Sequence, residues 1–160
     1  MNTLTKLKNE IEVCDLHADR LQMAMNHIKL IFPLTPEKLE TLKDEEIGLL
    51  ELMTSRFAKL QDTIGQKIFP LLLRILGEYQ ERDSFIDRLN KLEKLEILND
   101  VDFWHRMRDV RNEIAHDYPE GADEKILKIR HCFDSSLALL SFWEELKQTM
   151  IQRIGSQTPF

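Results

Sequence analysis

The stretch Arg111-Asn112-Glu113-Ile114-Ala115-His116-Asp117-Tyr118 gathers a permanent cation, an imidazole and a phenol, and no other segment of the chain does so. A guanidinium offers five donors in a planar fork suited to phosphate, and histidine is the side chain whose unperturbed pKa lies closest to neutral. Together they suit the binding and cleavage of a phosphodiester. Arg111 would stabilise charge developing on the phosphate, His116 would move a proton, and Asn112 would orient the pair. The plainer alternatives are that His116 is a cation near a helix C-terminus, that Tyr118 packs its ring and bonds a neighbour, and that the arginines pair with Asp109, Glu113 and other surface acids.

The element that must position these residues is a helix from Val101 to His116, capped by Asn99 or Asp100. Phe103, Met107, Val110 and Ile114 make its core stripe, Trp104, Arg108, Arg111 and Ala115 the neighbouring row, and His105, Asp109, Asn112 and His116 the row beyond. In an ideal helix Arg111 and His116 stand about 140° apart, so one regular helix cannot clasp a single atom between them. A two-fold dimer setting two such helices beside one cleft would complete the site. Pro119 disfavours helical geometry at Tyr118, which places that tyrosine just past the helix end in extended backbone.

The formal net charge of −6 argues against a general nucleic-acid coat, because sequence-independent affinity for phosphates rests on clustered lysine and arginine. Any RNA contact is therefore local. His105, Arg106, Arg108 and Arg111 form a basic patch, with Arg106 and Arg108 the candidates for holding substrate, and a dimer would bring two copies of it together.

At 160 residues, 42% of them hydrophobic and 31% charged, the chain has the profile of one soluble globular domain. Five glycines and five prolines, with abundant Leu, Lys and Glu, favour helix over sheet. Cys14 and Cys132 give no disulfide framework. No N-terminal signal pattern and no uninterrupted apolar run near 18 residues is present, which predicts a cytoplasmic protein without membrane contact. Cys14 and His17 have a ligand-like spacing with no second pair beside it, and no phosphate-binding glycine loop, HExxH or GxSxG is found, so no metal or cofactor is expected.

Helical periodicity runs along the chain. Leu4, Leu7, Ile11, Cys14, Ala18, Leu21, Met25, Ile28 and Phe32 make one stripe on a long first helix ended by Pro33 and Pro36. Thr35 before Pro36 predicts a short capped helix, and Asp44 is expected to cap the next one, running from Glu45 to about Ile68 with Pro70 kinking or breaking it. Leu71 to Leu76 reads as a buried helical continuation. Ser84 and Asp87 have capping-box spacing before a helix from Phe85 to Leu95. After the Pro119 to Gly121 loop, Asp123 is expected to cap a last helix reaching about Arg153, with Ile126, Ile129, Phe133, Leu137, Leu140 and Leu146 on its apolar face. The expected fold is all-α, an up-and-down bundle of about five helices in one domain over 1–152, with a short C-terminal tail over 153–160.

The spacing of Arg111, His116 and Tyr118, with Asn112 directly after the arginine, resembles the signature of the HEPN superfamily, most closely its HepT-like toxins. The resemblance implies a small all-helical homodimer acting as a metal-independent endoribonuclease, paired in a toxin-antitoxin system with a minimal nucleotidyltransferase (MNT-type) antitoxin that attaches AMP to the motif tyrosine. Carried over to this chain, it makes Arg111 and His116 the catalytic pair, Asn112 the accompanying polar residue and Tyr118 the site of AMPylation. The connector around Leu34 to Asp44 departs from the smallest members. Two other readings stand beside this one: a non-catalytic helical partner or substrate-binding subunit of a nucleotidyltransferase, and a structural bundle adaptor.

Overall fold

The steps of three and four that begin at Leu4 become the buried side of α1 (Thr3–Ile28), where Leu7, Ile11, Cys14, Ala18, Leu21, Met25 and Ile28 turn inward. Asn2 caps the helix, its Oδ1 accepting the N–H of Thr5 at 2.8 Å. A computed structural model of the chain describes residues 1–116 and 121–155, and all its regular elements are helical. After a 3₁₀ turn at Lys29–Ile31, Thr35 Oγ1 accepts from Lys38 N at 3.1 Å and starts α2 (Pro36–Glu40) with proline in its first turn.

The next helix, α3 (Asp44–Thr63), differs from expectation at its start. Asp44 is its first residue rather than its cap, and the carboxylate of Glu46 reaches back to the N–H of Lys43 at 2.9 Å. The helical run reaches Ile68 as expected, but through a wider turn. The chain stays helical through Pro70, passing from α3 through a π turn at Ile64–Ile68 into α4 (Phe69–Ile75). Proline has no N–H for an i−4 carbonyl, and its ring crowds that carbonyl in a regular helix. The wider turn just before it, closed by Phe69 N–H on Ile64 O, absorbs the mismatch, so the expected kink or break takes the form of a local unwinding, and Leu71 to Ile75 continue the helix as expected.

The capping box forms as read: Asp87 N–H donates to Ser84 Oγ at 3.2 Å, and Ser84 N–H to Asp87 Oδ2 at 3.0 Å. These bonds hold the Asp87 carboxyl below its ordinary value. They open α5 (Phe85–Lys94), followed by α6 (Val101–Ala115) and the long α7 (Ala122–Ile154). At α7 the capping residue is Gly121, with no side-chain cap, and Asp123 sits inside the first turn, so the expected cap is displaced. On α7 the expected Leu146 is buried and Ile129, Phe133 and Leu140 pack partly buried against the core, but Leu137 is 50% exposed, and the innermost row is filled by Cys132, Ser136, Leu139, Trp143 and Met150. Two polar groups misdirect the reading. Ser136 is buried with its Oγ 4.0 Å from Cys132 Sγ, and the Trp143 indole N–H is satisfied by Asp15 Oδ1 at 2.9 Å.

These elements make an all-α, up-and-down bundle in which α1 lies along α3, and α7 packs on α3 and α6. Phe57, Phe69, Trp104 and Trp143 are the bulkiest side chains of its continuous core. Helix α7 continues to Ile154, just beyond the expected domain limit; of the expected tail, 156–160 lies outside the described residues. No helix among the described residues is long and apolar enough to cross a membrane.

Candidate functional site

Helix α6 is fixed at its start by two carboxylates: Asp100 Oδ1 accepts from Asp102 N at 2.9 Å, and Glu93 Oε2 of α5 accepts from Val101 N at 2.9 Å. One turn on, Trp104 is fully buried, where the sequence placed it on a flanking row. Gly65 in the π turn is the reason. A Cβ there would stand 3.1 Å from Trp104 Cζ2, tighter than ordinary contact, so a larger residue would push the indole and α6 back. Phe69 and Phe142 complete the packing, with ring centroids 4.8 and 5.7 Å from Trp104. The row that begins at Trp104 then carries Arg108 and Arg111 out along the α3 side of the helix.

Between α6, the end of α3 and the π turn lies a cleft of ≈ 430 Å³. Gln61, Asp62, Gly65 and Gln66 form one wall, Arg108, Arg111 and Asn112 the other, and Phe85 from the first turn of α5 contributes a ring. Arg111 is held at two points: Nε donates to Asp62 Oδ1 at 3.0 Å and Nη2 to Asp62 Oδ2 at 3.1 Å. That hydrogen bonding raises the guanidinium pKa, so Arg111 is a permanent cation. The Arg108 guanidinium carbon sits 4.6 Å from the centroid of the Phe85 ring, a cation–π contact that steers it over the cleft wall.

The fold therefore brings Arg108, Arg111 and Asn112 together. Arg106 is elsewhere: it approaches Asp100 at 3.9 Å and lines a shallower depression between α6 and α7 with Asp134 and His131. His116 is the residue that ends α6. Its backbone is extended (φ −99°, ψ 117°), it is exposed, and its carbonyl accepts from Lys128 Nζ at 2.7 Å. It is not among the described residues that line the Arg111 cleft. Tyr118, with Asp117, Pro119 and Glu120, lies outside the described residues.

Sequence reasoning missed Asp62, Gln61, Gln66, Gly65 and Phe85. The available signal was a pair of polar or small rows, Gln61 with Gly65 and Asp62 with Gln66, each four residues apart on an otherwise apolar helix side. The Cys14–His17 spacing has a structural explanation. Cys14 is buried, which pushes its thiol well above the ordinary value, with Glu10 and Asp15 adding to the effect. His17 Nδ1 meets Arg56 Nη1 at 2.9 Å, and burial with the nearby Arg56 and Lys59 charges lowers its pKa. Among the described residues no group of three or more His, Cys, Asp or Glu side chains is placed to hold a metal ion.

Comparison of the chain with protein-family models, with curated proteins and with solved structures found no match in any of the three.

Proposed function

We propose that the chain is a metal-independent endoribonuclease toxin of the HEPN type, acting as a cytoplasmic homodimer, with Arg111 and His116 as the catalytic pair and Asn112 orienting them. The observation that carries this reading is the Arg111 guanidinium fixed by Asp62 in a cleft that also presents Arg108 and Asn112. Asp62 takes two of the five guanidinium N–H groups, which leaves three for a phosphate. In the proposed step His116 takes the proton of a ribose 2′-hydroxyl. The 2′-oxygen–phosphorus bond forms as the phosphorus–5′-oxygen bond breaks, and the proton passes to the leaving oxygen. The products are a 2′,3′-cyclic phosphate and a 5′-hydroxyl, with no co-reactant consumed. The position of His116 at the helix end supports a site completed by a second copy, since about 140° separates it from Arg111 along a regular helix.

The test is incubation of purified protein with RNA in EDTA, comparing the parent with His116→Ala and Arg111→Ala. Cleavage by the parent and its loss in both variants is the expected result, with light scattering reporting a dimer; equal cleavage by parent and His116→Ala removes His116 from the mechanism. A second reading, a non-catalytic RNA- or nucleotide-binding partner of a nucleotidyltransferase, is favoured by the placement of His116 away from the described cleft lining. RNA retained by the parent, released by Arg111→Ala and never cut would select it. Under either reading Tyr118 is the proposed acceptor of AMP from an MNT-type antitoxin. Intact mass with that partner and ATP would show an adduct on the parent and none on Tyr118→Phe.

A further inference from the structure

We propose that the Arg111 cleft contains a nucleobase subsite that favours adenine, with Gln61 reading the base edge and Phe85 and Arg108 forming the stacking platform. The phosphate end of this subsite rests on the reading above; the base end stands on different residues and different observations. Gln61 is only 4% exposed, lines the cleft, and makes no side-chain hydrogen bond to a described residue, and its amide is not among the buried atoms without a partner, so the amide is open to the cleft. A ligand edge could replace water on that amide at both its donor and its acceptor. The Trp104 indole stands behind Gly65 and outside the cleft lining, its buried Nε1 without a partner among the described residues and 3.5 Å from where a Cβ on Gly65 would lie. That same Cβ would stand 3.6 Å from Phe85 Cζ, so Gly65 keeps clear the space between the indole and the Phe85 ring.

The chemistry of the wall selects the ligand. Single-stranded bases are held by stacking on aromatic rings or guanidinium planes, together with hydrogen bonds to their edges. Phe85 with Arg108 against it supplies the first. A carboxamide offers one acceptor beside one donor, which pairs at two points with the N6/N7 edge of adenine, whereas guanine presents two acceptors there and pairs with a guanidinium. Cytosine also presents a donor beside an acceptor, but a purine covers more of the platform. The cleft volume of ≈ 430 Å³ falls in the range of about 300–1,000 Å³ typical of small-molecule sites. With a phosphate on the free N–H groups of Arg111, the base reaches toward Phe85 along the row that Arg108 shares.

The experiment is calorimetric titration of the full chain with AMP, GMP, ribose 5-phosphate and inorganic phosphate. AMP is expected to bind about tenfold tighter than GMP, the difference a two-point amide contact supplies, and tighter still than ribose 5-phosphate, which has no base to stack. Gln61→Leu, similar in size but without the amide, should lose that tenfold while phosphate binding is unchanged. Thermal melts followed by circular dichroism check that it folds, and Phe85→Leu gives a second arm, weakening AMP and GMP together. AMP binding no tighter than ribose 5-phosphate, or an AMP preference that survives Gln61→Leu, overturns the subsite. Cleavage of RNA alongside base-blind binding leaves the ribonuclease reading intact and removes the subsite alone. Selective AMP binding without any cleavage retains the subsite and removes the ribonuclease reading.

Discussion

Removing the carboxylate of Asp62 tests whether the Arg111 pair is an energetic contact or a geometric coincidence. At 3.0 Å two unit charges attract by about 1.4 kcal/mol in water and about 5.5 kcal/mol at an effective dielectric near 20. Both side chains keep about a third of their surface exposed, at 32 and 33%, so screening, desolvation and the ordering of two side chains cancel most of that attraction. The two-point geometry places the remainder at the upper end of the range for exposed pairs, about 1 kcal/mol. A double-mutant cycle of Asp62→Ala, Arg111→Ala and the double variant, measured by urea unfolding, should return a coupling energy of about that size. Asp62→Ala alone should lower the melting temperature by about 2–4 °C. Coupling below about 0.3 kcal/mol would mean that the pair contributes nothing to stability. For function the argument is positional. Asp62 fixes one edge of the guanidinium and so aims the other, and under the proposed function loss of that aim should reduce the proposed RNA cleavage by up to about 10²-fold. A rise in cleavage or in phosphate affinity on Asp62→Ala would instead make Asp62 a competitor of the phosphate and refute its positioning role.

Four further outcomes are expected. Ser84→Ala should cost about 1 kcal/mol through loss of the α5 cap. The lowered pKa of Asp87 stabilises the fold fully above its ordinary value of 3.8, and this contribution is lost as pH falls through the lowered folded value, so Asp87→Asn should flatten the acid limb of a melting-temperature profile below about pH 4. Asp15→Ala should destabilise by about 1–3 kcal/mol in chemical unfolding, because the fully buried Trp143 would lose the acceptor of its indole N–H; Asp15→Asn, which keeps an acceptor, should cost less. Cys14 and Cys132 are both fully buried, and burial pushes the Cys132 thiol up to about 12. A thiol reagent should therefore modify neither in the folded protein at pH 8 and both after unfolding, and fast labelling of the native state would contradict the packing.

Much of the fold was legible because helices announce themselves through period and caps. The α1 stripe, the Thr35-Pro36 start, the Ser84–Asp87 box and the Asp100 cap are all local features, and local chemistry decides them. The π turn was present in the pattern too. The buried pairs Leu60-Gln61, Ile64-Gly65, Ile68-Phe69 and Leu72-Leu73 recur every four residues, a slower period than the 3.6 of an α-helix, which calls for under-winding. Reading Pro70 as the site of a kink or break drew attention past that signal, which lies just before it. The site divided along similar lines. Arg108 and Arg111 share one row by periodicity alone and Asn112 stands in the next, while the same periodicity sets Arg106 apart; His116 follows Asn112 in its row and leaves the cleft lining only where the helix ends. Asp62 lies 49 residues from Arg111, and nothing in a single sequence links two charges at that range. The innermost row of α7 was hidden for another reason: Ser136 is polar by type but buried by position.

The chain carries just two tryptophans, and the fold gives them opposite surroundings. The Trp143 indole N–H binds a carboxylate, and the Lys147 ammonium lies 5.6 Å from its ring centroid; that of Trp104 has no acceptor among the described residues and sits behind the glycine of the cleft wall. Light absorbed by the protein above the tyrosine band is therefore reported from two addresses, one deep between α1 and α7 and one at the cleft. Trp143→Phe would leave a single native fluorophore behind Gly65, whose emission records occupancy of the cleft without any attached dye.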